Sequence, residues 1–78
     1  MKLPAMVDVK SSNIARLGHD SRGLFVQFVG GGIYHYPEAP REIFNDLVGA
    51  DSVGKAFGAK VKGVFVHRQV RDVEPHNR

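Results

Sequence analysis

At 78 residues the chain holds one small domain, with nothing left over for a second core. It has no cysteine, which excludes a disulfide framework and a thiolate zinc site as supplements to a core that buries only about 60–65 % of the unfolded surface. The net charge of +3 is unevenly placed: residues 1–51 carry five Lys/Arg against six Asp/Glu, whereas residues 52–71 carry Lys55, Lys60, Lys62, Arg68 and Arg71 and no acid.

The start, "MKLPAMVDVK", has no apolar run long enough for a signal peptide, and nothing later approaches a membrane span. A cytoplasmic chain with no membrane partner is the expectation. Residues 1–8 lack periodicity and read as a loose N-terminal arm; residues 72–78, "DVEPHNR", read as a frayed tail. Between them, residues 9–71 form the domain.

"SSNIARLGHD" alternates weakly and predicts a short strand, closed by "HDSRG", where Asp20 and Gly23 supply turn chemistry. "LFVQFV" is dense in β-branched and aromatic residues and too short for a helix. "GGG" breaks that strand, "IYHY" starts the next, and Pro37 ends it. Pro40 suits a first helical position, Glu42 faces the positive end of the dipole, and Ile43, Phe44, Leu47 and Val48 make one apolar stripe. "ADSVGKAF" predicts a second short helix capped by Asp51 or Ser52, with Val53, Ala56 and Phe57 on one face. "VFVHRQV" reads as a final strand. The fold class is therefore α+β: a small antiparallel sheet of three strands, or four with the last segment, under two short helices on one face.

A three-glycine loop pairs Val29 with Ile33, Phe28 with Tyr34 and Val26 with Tyr36. Leu24, Val26, Phe28, Tyr34 and Tyr36 then share the apolar face, and Phe25, Gln27, Ile33 and His35 the mixed one. On this register Phe28, Tyr34, Phe44, Leu47 and Phe57 pack together, with Tyr36 at the edge. The tyrosines are core residues whose hydroxyls reach the rim; exposed tyrosines stacking on bases are the other reading. Gln27 and His35, on the opposite face, become the candidates for polar contacts.

Catalytic and metal readings are weak. No two of His19, His35, His67 and His76 lie at ligand spacing. Ser11, Ser12, His19 and Asp20 are triad residue types, but no nucleophile elbow surrounds them. "GGG" is followed by no Gly-Lys-Ser/Thr and is no phosphate loop. No catalytic residue, metal site or cofactor is expected. Ser11, Ser12 and Asn13, at a strand start, are expected to clamp the backbone.

The order of motifs resembles the KTSC domain, a small bacterial and phage family named for its occurrence at the C-terminus of some lysyl-tRNA synthetases. Its central Tyr-x-Tyr is matched by Tyr34 and Tyr36, its Ser-Ser-Asn-Ile by Ser11 to Ile14, and its Ala-x-Ser-x-Gly-x-x-Phe by Ala50, Ser52, Gly54 and Phe57. His19 stands where the family usually has tyrosine. The resemblance implies a standalone α+β domain and suggests RNA binding; it implies no reaction.

Two functions follow as expectations. One is a non-enzymatic nucleic-acid-binding module, RNA ahead of DNA, touching phosphates through Lys55, Lys60, Lys62, Arg68 and Arg71, with Gln27 and His35 beside them. The alternative is a small protein-interaction module, phage-encoded and aimed at a host protein, using an apolar sheet face or an edge strand. Either suits a monomer or a small homo-oligomer.

Overall fold

The computed structural model describes residues 2–71; the expected tail at 72–78 lies outside the described residues. Five antiparallel strands cross the sheet in chain order: β1 (Met6–Asp8), β2 (Ile14–Asp20), β3 (Gly23–Phe28), β4 (Ile33–Tyr36) and β5 (Arg68–Val70). Two helices, α1 (Arg41–Val48) and α2 (Val53–Lys60), connect β4 to β5 and bury Phe44, Leu47, Val53 and Phe57 against Ile14, Leu17, Leu24, Val26 and Tyr36. The class is α+β, with five strands rather than three or four.

Both added features lie at the sheet edges. The segment expected to be a loose arm supplies β1, whose Met6, Val7 and Asp8 pair with Gly18, Leu17 and Arg16. Three residues are too few to display alternation, so only long-range pairing reveals the strand. The last strand is shorter than expected. Val61, Lys62, Gly63 and Val64 form turns, and pairing with β4 starts only at Arg68.

The β3–β4 register slips by two residues from the expected one: Leu24 faces Tyr36, Phe25 faces His35, Val26 faces Tyr34 and Gln27 faces Ile33. Val29 joins the turn, closed by a Gly31 N–H to Phe28 carbonyl bond of 3.2 Å, and Gly32 accepts from the Phe28 N–H at 3.1 Å. A shift of two keeps every side chain on its face. The burial order does change. Tyr36, expected at the edge, is only 4 % exposed, whereas Phe28 and Tyr34 are half-buried.

Helix capping follows the sequence closely. Pro40 sits at the cap of α1, one position before the helix, and Glu42 lies in its first turn. The Ser52 hydroxyl accepts the Lys55 N–H at 3.3 Å and caps α2.

The sheet face away from the helices is not open. Phe25 is fully buried there and stacks on His35 with centroids 4.4 Å apart. The Arg22 guanidinium lies over the Phe25 ring at 5.1 Å, pairs with Asp20 at 2.6 Å, and donates to the Lys2 carbonyl at 2.6 Å. Gly18 makes this packing possible, since a Cβ there would come within 2.5 Å of the Met6 sulfur and 2.9 Å of the Ala5 carbonyl. The N-terminal segment thus closes a second, small apolar cluster.

The Arg22 hydrogen bond to Asp20 holds that carboxyl below its ordinary value of 3.8. A depressed pKa in the folded state means the pair contributes at neutral pH and is lost as the pH falls below 3.8 toward the folded value. Because the pair lies at the surface, with Arg22 exposed and Asp20 half-buried, the effect is local rather than global. Hydrogen exchange at pH 7 and pH 3 is expected to show β1 amides losing protection in acid before those of β3 and β4.

Candidate ligand groove

The Ser-Ser-Asn segment splits into two roles. The Ser11 hydroxyl accepts the N–H groups of Asn13 (3.1 Å) and Ile14 (3.2 Å), the expected clamp at the start of β2. Ser12 and Asn13 differ: both are exposed, and neither side chain makes a hydrogen bond among the described residues. They stand at one end of a groove of about 650 Å³. That volume lies within the range of about 300–1,000 Å³ usual for ligand sites.

One side of the groove is the β3–β4 hairpin, through Phe28, Gly31, Gly32, Tyr34 and Tyr36; the other is α2, through Gly54, Phe57 and Gly58. Lys62 and His67 also line it. The rings form one connected set. Phe57 meets Phe28 at 5.6 Å and Tyr36 at 5.9 Å, both edge-to-face. His67 abuts Tyr34 at 5.5 Å and Tyr36 at 5.3 Å. Such geometry leaves ring edges and partial faces for a planar ligand.

Among the described residues no acidic residue lines the groove, and Lys62 does. Lys62 gives this lining a positive charge. Burial, helped by neighbouring Tyr34, pushes the Tyr36 phenol above its ordinary value, so it stays a neutral donor at physiological pH. Its hydroxyl has no hydrogen-bond partner among the described residues. A bound molecule can take that bond.

The residues expected to contact a ligand do not come together. Lys55 is exposed on α2; Lys60 pairs with Asp46 of α1 at 3.7 Å; only Lys62 reaches the groove. Arg68 faces His35, which turns it to the sheet side away from the helices, and Arg71 lies just past β5. Five cations on one surface is not what this fold presents. Gln27 is half-buried on the far side with Arg16 and Ile33 as neighbours.

His35 is a correction. It is 4 % exposed, stacked on Phe25, and its Nε2 lies 2.7 Å from the Arg22 carbonyl. A carbonyl only accepts, so Nε2–H donates, and the buried Nδ1 has no partner among the described residues. The ring is packed inside the fold rather than presented to solvent. Alternation along β4 placed His35 on the correct face, but the cover supplied by Arg22 and the N-terminal segment is long-range. His67 was missed as a site residue: only the return of the chain after α2 brings it to the tyrosines.

The architecture defines a two-layer α+β domain with an aromatic groove between a β-hairpin and a helix. The KTSC domain model matches residues 10–65, and the chain belongs to the KTSC domain family. It is similar to a crystal structure of a KTSC domain protein from Yersinia pestis, with a TM-score of 0.80 and 30 % identity, covering 86 % of this chain and 97 % of that one. It is also 40 % identical to a protein of Tsukamurella paurometabola, across 77 % of this chain and 92 % of that protein. A protein of Stutzerimonas stutzeri is 36 % identical across 72 % and 82 %, respectively. Among the described residues no helix is long and apolar enough to cross a membrane.

Proposed function

We propose that the domain is a non-enzymatic module that binds single-stranded nucleic acid in the groove. The supporting observation is the combination, in one lining, of clustered rings with Lys62 and no carboxylate among the described residues. Aromatic groups that receive unstacked bases, beside a cation that meets the phosphate, are the common physics of single-strand binders. RNA stands ahead of DNA on the family resemblance, which is an argument from analogy. The tyrosines act here as groove walls; a flat stacking platform would need the sheet face that the helices cover.

Dispersal of the other cations changes the expected salt dependence. One or two phosphate contacts, each adding a slope of about −0.7, give an affinity falling roughly 3- to 7-fold between about 50 and 200 mM salt. A continuous basic stripe of four or five contacts would give a fall of about 50-fold or more. The test is a titration of labelled single-stranded RNA, single-stranded DNA and duplex DNA at both salt concentrations. Lys62→Glu is expected to weaken single-strand binding about tenfold, the worth of a charge-assisted contact. Lys55→Glu, on the outer side of α2, should leave it unchanged.

Absence of binding to every nucleic acid at low salt would overturn this reading in favour of a protein partner. One observation supports that second reading: Val29, which lines the groove, and Val64 and Val66 are 56 %, 60 % and 66 % exposed.

A further inference from the structure

The glycines of α2 are not explained by the packing of the fold. Gly54 and Gly58 stand one turn apart, on the same side of the helix, and both line the groove. Glycine is among the poorest helix formers, so each weakens a helix of only eight residues. No neighbour demands it. A Cβ on Gly58 would meet nothing within 4 Å, and one on Gly54 would meet only the Ser11 hydroxyl at 3.6 Å, an ordinary contact. Both have helical backbone with φ outside the left-handed region. What their missing side chains preserve is the width of the groove.

We infer that the groove takes a single unstacked nucleobase against the bare Gly54–Gly58 side of α2, with the phosphate of that nucleotide at Lys62. This deepens the nucleic-acid reading and rests on it. Three observations select that occupant. Phe28 and Tyr34, half-buried on the opposite wall, offer apolar surface to a ring inserted between hairpin and helix. Asn13, with both amide donors and its acceptor free among the described residues, can pair with a base edge. Lys62 supplies a cation to a lining that has no acid among the described residues, matching a phosphate in charge. The ligand unit is thus one nucleotide per domain, and recognition does not require a second stacked base.

The test uses the whole chain with a labelled ten-nucleotide single-stranded RNA, and uridine and adenosine 5′-monophosphates as competitors. Gly58 lines the groove and a Cβ there would meet nothing within 4 Å, so Gly58→Leu extends a side chain into the groove from an open position. Its melting temperature, like that of Gly58→Ala, should rise by about 4 °C or more, because a poor helix former is replaced. RNA affinity of Gly58→Leu should fall at least tenfold, and a mononucleotide should displace RNA from the unaltered protein. In parallel, NMR titration of the unaltered protein with a monophosphate should shift the Gly54, Gly58 and Asn13 signals. Undiminished RNA binding by a folded Gly58→Leu protein, or monophosphate shifts confined to other residues, overturns the one-base groove and leaves nucleic-acid binding standing. No RNA binding by the unaltered protein overturns both.

Discussion

Truncation of Tyr36 to alanine is expected to cost about 3–5 kcal/mol, most of the stability a domain of this size possesses. The ring is 4 % exposed, sits across from fully buried Leu24, and meets Phe57 edge-to-face at 5.9 Å. Removing it opens a cavity where sheet, α2 and the chain before β5 converge, and eight-residue helices offer little to refill it. Tyr36→Phe separates packing from chemistry. It keeps the ring, so stability should change by less than about 1 kcal/mol, while the lost hydroxyl weakens binding in the groove. Tyr34→Ala should cost less than Tyr36→Ala, because Tyr34 is only half-buried. Urea denaturation followed by circular dichroism ranks the three, the chain having no tryptophan. A Tyr34→Ala protein less stable than Tyr36→Ala would contradict the burial order.

The Tyr-x-Tyr run shows how much of this fold is local. Alternation alone puts both rings on the face of Leu24 and Val26, and it does so whether three glycines or Val29–Gly31 form the turn. What alternation cannot give is depth. Tyr36 lies under Phe57, whereas Tyr34 lies beside the hairpin turn, and only the placement of α2 distinguishes them. Helix bounds were legible for the same local reason, through Pro40, Glu42, Ser52 and the apolar stripe.

The site was legible in pieces rather than as a site. Ser12, Asn13, Tyr34, Tyr36, Gly54 and Phe57 all belong to motifs quoted from the sequence, and all line one groove. Their convergence depends on α2 facing the hairpin across the groove, which leaves no periodic mark. The basic segment misled in the opposite way. Closeness in sequence suggested one patch, but a helix, a turn and a strand point successive cations in different directions. Nothing local marks His35 as buried, because its cover comes from residues far away in sequence.

Gly23→Ala is expected to be as damaging as any core truncation, although it adds a single carbon. Gly23 opens β3 at φ +121°, a conformation that L side chains rarely adopt, at a strain of about 1–3 kcal/mol. A second penalty is steric. A Cβ there would collide with the Tyr36 carbonyl oxygen and lie 2.7 Å from the Pro37 Cα, all of it backbone that cannot rotate away. Forcing atoms into packed structure adds about 1–3 kcal/mol, so the total loss is roughly 2–6 kcal/mol. Relief would require the β2–β3 turn to separate from the end of β4, moving the Arg22 carbonyl from His35 and loosening Tyr36 together. Gly30→Ala supplies the control. Its φ is +68°, but nothing lies within 4 Å of the added carbon, so only the strain term of about 1 kcal/mol applies. Thermal melts of the two variants should therefore diverge, Gly23→Ala losing several times more than Gly30→Ala. Equal losses would show that conformation alone, and not the approach of β4 to the turn, fixes glycine at position 23.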